Sequence, residues 1–216
     1  MKATNKKTAA KNASVRSAAS ASYPGADELV ARIGQLHGQE LRCAVRGLDE
    51  AELLAFAASD RVSRAARIAA TAALDDVDLL ISLACADVAT FVRRDALRRI
   101  EEVLDGGPVA AKKIERLLPC LGDPDLIAFA VALMDESGFD WCARCDRGVG
   151  HVLCAAMSGC RSINESVLLE DAFAQLAHCR PDLRADLQAC TPESFIPRTV
   201  YTPMIASGPL LVDNVA

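Results

Sequence analysis

LLISLACADVATFVRRDALRRI, residues 79 to 100, decides how this chain folds. Its second half sets Val92, Ala96 and Ile100 four residues apart, and Val88 and Leu104 extend that spacing in both directions. Only an α-helix brings residues four apart onto one side, so 88–104 is expected to be a helix with a single buried stripe. The first half reads as the apolar helix that precedes it.

The same pattern recurs outward from this stretch. LDEAELLAFAA (48–58) matches LDDVDLLISLA (74–84) at an offset of 26, with Leu48, Asp49, Leu53, Leu54 and Ala58 on Leu74, Asp75, Leu79, Leu80 and Ala84. The helices behind them match at an offset of 30, with Val62, Ala66 and Leu74 on Val92, Ala96 and Leu104. The four extra residues are expected to form a longer inter-helix loop or one added turn. A third, partial copy is LGDPDLIAFAVALM (121–134), where Leu126 and Ile127 take the double-apolar positions. Asp49, Asp75 or Asp76, and Asp123 stand before these apolar runs. A carboxylate there accepts from the orphan N–H groups of a helix start, so these are the expected N-caps. Pro124 suits the first helical position. Gly106-Gly107-Pro108 and Pro119 are expected to break the helices between copies.

Paired helices with one apolar face each bury those faces by stacking on neighbouring pairs. Leu79, Leu80, Ala84, Asp87, Val92, Arg93, Ala96, Leu97 and Ile100 together resemble a HEAT repeat, and the short period is similar to that of leucine-rich-variant repeats. The likeness covers roughly residues 48–134. The first copy departs from it, with Ser63 where the arginine should stand. The resemblance implies an all-α solenoid whose concave face binds other proteins, and it implies no catalytic residues.

Composition agrees with an all-α fold. Aromatic residues make up 4% of the chain, and alanine and leucine, both strong helix formers, dominate its apolar set. Residues 1–24 carry Lys2, Lys6, Lys7, Lys11 and Arg16 and no acid, a charge of +5. The whole chain is at −5, so the remainder is −5 minus +5, or −10. An acidic body repels phosphate backbones, which disfavours nucleic acid as a partner. No apolar run is long enough to span a membrane, and the basic N-terminus lacks the apolar core of a secretory signal. Its Ser- and Ala-rich, acid-poor start fits a transit peptide as well as a disordered arm on a cytoplasmic protein, and the arm is the expectation adopted. Residues 25–190 are then the helical domain, with a first helix carrying Leu29, Ile33, Leu36 and Ala44 and closing at Gly47. Later helices are expected near 149–158 and 164–178, with a short one from Pro181 to Cys190. Pro192, Pro197, Pro203 and Pro209 forbid sustained helix, so 191–216 is expected to be an extended tail. About eight to ten helices in all are expected.

Two groups of residues could carry function. Cys142, Cys145, Cys154, Cys160 and His151 fall within WCARCDRGVGHVLCAAMSGC (141–160). A C-x2-C pair lets two thiolates reach one tetrahedral ion, so this set is a candidate Zn²⁺ or Fe–S site. Trp141-Cys142-Ala143-Arg144-Cys145 also resembles the W-C-x2-C of thioredoxin-like oxidoreductases, although no strand pattern precedes it. The competing reading is that this chain uses cysteine as a small buried hydrophobe, as Cys43, Cys85, Cys120, Cys179 and Cys190 suggest. On that reading no cofactor is needed. His37 and His178 are read as surface histidines.

The second group is Arg61, Arg64, Arg67, Arg93, Arg94 and Arg98, on helices 61–73 and 91–104. It is the candidate surface for a protein or peptide partner, unless it is only a solvated face pairing with Asp95, Glu101 and Glu102. No nucleophile elbow, phosphate loop, zinc-protease motif or dinucleotide fingerprint occurs. The expectation is a non-enzymatic interaction scaffold, with a metal-binding accessory protein as the alternative.

Overall fold

A computed structural model describes residues 26–183, apart from Asp87, Phe139, Arg144, Asp146 and Ser162. Both the basic arm and the expected tail at 191–216, with Cys190 beside it, lie outside the described residues. Ten α-helices and a closing 3-10 turn account for the described secondary structure: α1 (Ala26–Ile33), α2 (Gly38–Val45), α3 (Glu50–Ala58), α4 (Arg64–Ala73) and α5 (Val77–Cys85) come first. They are followed by α6 (Thr90–Val103), α7 (Gly107–Leu121), α8 (Pro124–Glu136), α9 (Arg147–Gly159) and α10 (Ile163–Cys179). No strand occurs among the described residues.

The helix starts follow local chemistry. Asp49 accepts from the Glu52 N–H while the Glu52 side chain accepts from the Asp49 N–H, a complete capping box at α3. Asp76, rather than Asp75, caps α5, taking the N–H groups of Asp78 and Leu79 at 2.8 and 3.0 Å. Asp123 caps α8, with Pro124 in its first turn. Two expected boundaries differ. The first segment is two helices, α1 and α2, with a break at Gly34–His37, and Gly38, which opens α2, adopts φ +56°. Pro119 does not break a helix: it sits in the last turn of α7, where a lost N–H costs only one bond. Gly122, at φ +65°, ends that helix in the left-handed conformation a glycine adopts readily.

The added turn resolves the two sequence offsets. α4 begins at Arg64 and α6 at Thr90, an offset of 26, while their C-caps, Leu74 and Leu104, are 30 apart. The four extra residues are therefore one turn inside α6, which has 14 residues against 10 in α4.

Packing follows two interleaved sets. α3 packs on α4, α5 on α6, α7 on α8 and α9 on α10. Along the chain, α1 meets α3, α3 meets α5, α5 meets α7 and α7 meets α9. The even-numbered helices repeat this, with α2 on α4, α4 on α6, α6 on α8 and α8 on α10. The third copy at 121–134, matched in sequence to the segments of α3 and α5, is thereby corrected: it forms α8 and stands in the row of α4 and α6. One continuous apolar core runs through them, from Leu29 through Leu53, Phe56, Leu80, Leu97, Ile100, Ile114 and Leu126 to Leu153 and Leu176. Small residues allow close approach: a Cβ on Gly159, at the end of α9, would lie 2.8 Å from Pro124 Cγ at the start of α8.

Candidate functional site

The arginine group divides into two kinds of residue. Arg67 and Arg93 are each the fourth residue of their helix, α4 and α6. Arg67 is buried, and its Nε donates to the Ala57 carbonyl at 2.9 Å, with Nη2 at 3.5 Å from the Ala58 carbonyl. Arg93 Nε donates to the Ala84 carbonyl at 2.7 Å, and its Nη2 donates to the Leu121 carbonyl. These carbonyls close α3, α5 and α7, where four acceptors per helix lack intrahelical donors. A guanidinium there satisfies them and meets the negative end of the helix dipole. Burial pulls the Arg67 pKa below the ordinary arginine value, opposed by Asp60, yet the side chain stays charged. The arginine expected at Ser63 is therefore supplied by Arg67, one turn later, and Ser63 instead caps α4. Arg99 does similar work, donating to the Leu74 carbonyl at 3.0 Å while pairing with Asp75 and Glu102.

Arg64, Arg94 and Arg98 face outward, over two rings. The Arg64 and Arg67 guanidiniums lie 4.8 and 5.2 Å from the centre of the Phe91 ring. One helix on, those of Arg94 and Arg98 lie 5.0 and 5.6 Å from the centre of the Phe129 ring. An arginine pair on each even helix thus clamps a ring on the next, from α4 to α6 to α8. Such cation–π contacts are worth about 0.5–1 kcal/mol each where exposed, which offsets part of the entropy cost of ordering a long side chain. Between the clamps lies an open groove of about 350 Å³, lined by Arg64, Ile68, Phe91, Arg94, Arg98 and Phe129 together with Thr90 and Asp95. Burial raises the Asp95 pKa, opposed by Arg98 and Arg64. Arg94 also lies 3.7 Å from Glu165 of α10. Arg61 sits in the turn before α4.

The cysteine segment spreads over the turn before α9, α9 itself and the residue that follows it. Cys142 and Cys145 are buried in the turn before α9, where the Cys145 thiol donates to the Cys142 carbonyl at 3.6 Å. Cys142 lies 3.9 Å from Gln175 Oε1, and Arg180 donates to the Cys145 carbonyl at 2.8 Å, docking this turn on the end of α10. Burial pushes the Cys142 thiol far above its ordinary value, and Cys179, Asp135, Cys145 and Asp140 add to that shift. An attacking dithiol needs the opposite, a stabilised thiolate. Cys160 sits in the field of Asp125 and Asp123, at the start of α8, and of Glu165 on α10, whereas Asp135 beside Cys142 is at the end of α8. α8 has 13 residues, so these ends stand about 18 Å apart. Thiolates sharing one zinc lie within about 4 Å of each other. Cys154 is buried on α9 and His151 is exposed. Among the described residues no three His, Cys, Asp or Glu side chains gather as a metal's donor set. Cys142, Cys145 and Cys154 are buried, Cys85, Cys120 and Cys160 are half-buried, and Cys43 and Cys179 are exposed, so the expectation that the scattered cysteines are buried is corrected at Cys43 and Cys179.

The two rings and the Arg67 cap were missed from sequence. Arg67 and Arg93 are 26 apart, the same offset as the helix starts, which was the available signal. Comparison with protein-family models, with curated proteins and with solved structures finds no match to this chain.

Proposed function

We propose that this chain is a non-enzymatic, HEAT-like helical-repeat scaffold that docks a protein partner on the face formed by α4, α6 and α8. The repeat reading is supported by the packing of each helix pair on the next and by the added turn that reconciles the two offsets. The docking reading is carried by one observation: the Phe91 and Phe129 rings, clamped by arginines, line an open groove with the partly exposed Ile68. Ordered arginine and aromatic side chains around an apolar depression are the residue types that dominate binding energy at protein interfaces. Among the described residues no helix is long and apolar enough to cross a membrane. The eight described cysteines are all thiols, which suits a reducing setting such as the cytoplasm.

The test begins with capture on the full chain, identification of the retained protein and reconstitution of the complex from purified components. Ile68→Asp should weaken that complex by about tenfold or more. Ile163→Asp, at an apolar residue 82% exposed on α10, should leave it unchanged. A reconstituted complex that responds to Ile163 and ignores Ile68 overturns the reading.

A further inference from the structure

We infer that the occupant of the α4/α6/α8 groove is an acidic protein segment, one that seats an aliphatic side chain between Ile68, Phe91 and Phe129 and flanks it with carboxylates. The inference rests on the docking reading above and adds the chemistry of the partner.

The argument is one of charge and geometry. The Arg64 and Arg98 guanidinium carbons lie 4.8 and 5.6 Å from the centres of the Phe91 and Phe129 rings, which restricts both side chains. A guanidinium so restricted is partly ordered before any partner arrives, so less side-chain entropy is lost when it meets a carboxylate. Arg64 and Arg98 are exposed, and among the described residues no hydrogen bond joins either to a carboxylate. Arg94 has only the 3.7 Å approach of Glu165, and its buried Nε has no acceptor. The lining carries three guanidiniums, Arg64, Arg94 and Arg98, and one carboxylate, Asp95, a charge of +3 minus 1, or +2. At its margin Glu165 approaches Arg94, and Asp123 accepts from the Thr90 hydroxyl at 3.4 Å. The groove also includes Thr90, the first residue of α6, whose N-cap Ala89 offers no side-chain acceptor. That helix end adds partial positive charge of its own. All this sits on a body whose charge beyond residue 24 is −10. A positive, ring-lined spot in an acidic surround attracts carboxylates locally, while the surround repels a long polyanion such as nucleic acid. The floor is apolar, and Ile68 is 37% exposed, so a partner gains by covering it with an aliphatic group.

The experiment uses the full chain and three fluorescein-labelled amphipathic peptides with identical leucines, flanked by Glu, Gln or Lys. Fluorescence anisotropy should show the Glu peptide binding about tenfold or more tightly than the Gln peptide, with the gap narrowing as salt is raised. The double variant Arg64→Glu/Arg98→Glu should reverse the preference toward the Lys peptide while keeping the helical circular dichroism of the parent. Should that variant fail to fold, Arg64→Gln/Arg98→Gln should erase the preference for Glu over Gln. Equal binding of the Glu and Gln peptides, no binding of any peptide, or a preference unmoved by these substitutions overturns the acidic occupant. If it is overturned while Ile68→Asp still weakens the reconstituted complex, the docking reading stands; if Ile68→Asp has no effect either, both fall.

Discussion

Arg93 donates through Nε to the carbonyl of Ala84 at 2.7 Å, reaching back from the fourth residue of α6 to the penultimate residue of α5. Arg67 makes the matching bond to Ala57, the penultimate residue of α3, at 2.9 Å. The two hairpins are thus closed by the same device, an internal cation on the helix end that most needs one.

Removing that cation leaves buried carbonyls without donors. Hydrogen bonds to a charged group contribute about 1.5–3 kcal/mol each. Arg93→Met should therefore destabilise the fold by about 2–3 kcal/mol and lower its Tm by about 4–10 °C. Arg93→Lys should recover only part of this, because an ammonium lacks the fork that serves both Ala84 and Leu121. A neutral Arg93→Met in thermal unfolding would refute the capping role.

The adjacent acids Asp75 and Asp76 should behave differently. Asp76 accepts two N–H groups at the start of α5, so Asp76→Ala should cost about 1 kcal/mol. Asp75 makes an exposed pair with Arg99, and Asp75→Ala should cost less. Urea midpoints in the opposite order would contradict the assignment of the cap.

Trp141 Nε1 donates to Asp135 Oδ1 at 2.7 Å, tying the cysteine-bearing turn to the end of α8. Burial holds the Asp135 carboxyl above its ordinary range, and the Trp141 bond opposes that shift only in part. The folded chain then binds this proton more tightly than the unfolded chain. Stability contributed by this group falls as pH rises from the ordinary Asp range, near about 4, through the raised value, and is level above it. Asp135→Asn keeps the acceptor and removes the titration. The variant should gain on the parent as pH rises through that window, in urea unfolding followed at several pH values. A variant that loses ground over the same window refutes the shift.

Thiol labelling separates the cysteines by burial. Cys43 and Cys179 are exposed and should be alkylated first by iodoacetamide, read by peptide mass spectrometry. Cys142, Cys145 and Cys154 should resist until the chain unfolds, since all three thiols are buried and the raised pKa of Cys142 also makes it a poor nucleophile. Early labelling at Cys142 would reopen its reading as a reactive thiol.

Much of the fold was legible because its determinants are local. Asp49 with Glu52, Asp123 with Pro124, and the stripe from Val92 to Ile100 act within a turn or two of the residues they organise. Pro119 was misread because a proline's cost depends on how near the helix end lies, which is fixed by Gly122 further on. The arginines were recognised as a group, but their division was hidden. Arg67 serves a carbonyl ten residues back, and Arg93 one 28 residues ahead, so a position on the helix wheel says nothing of either. Phe91 matches no repeat position, and Phe129 falls on Phe56, a buried core residue of α3 in the other row, so neither ring signals a groove; they meet their arginines only once α4, α6 and α8 lie side by side. The cysteines were legible as a count and not as a site. Cys142 and Cys160 are near in sequence, yet the length of α8 separates them.

The order of the even-numbered helices is the claim on which docking depends, and ring contacts in solution test it most directly. Nuclear Overhauser effects from the Phe91 ring should reach the side chains of Arg64 and Arg67, and those from the Phe129 ring should reach Arg94 and Arg98. Phe129 contacts to Arg64 and Arg67 in place of Arg94 and Arg98, or rings with no arginine neighbours at all, would contradict the stacked arrangement of α4, α6 and α8.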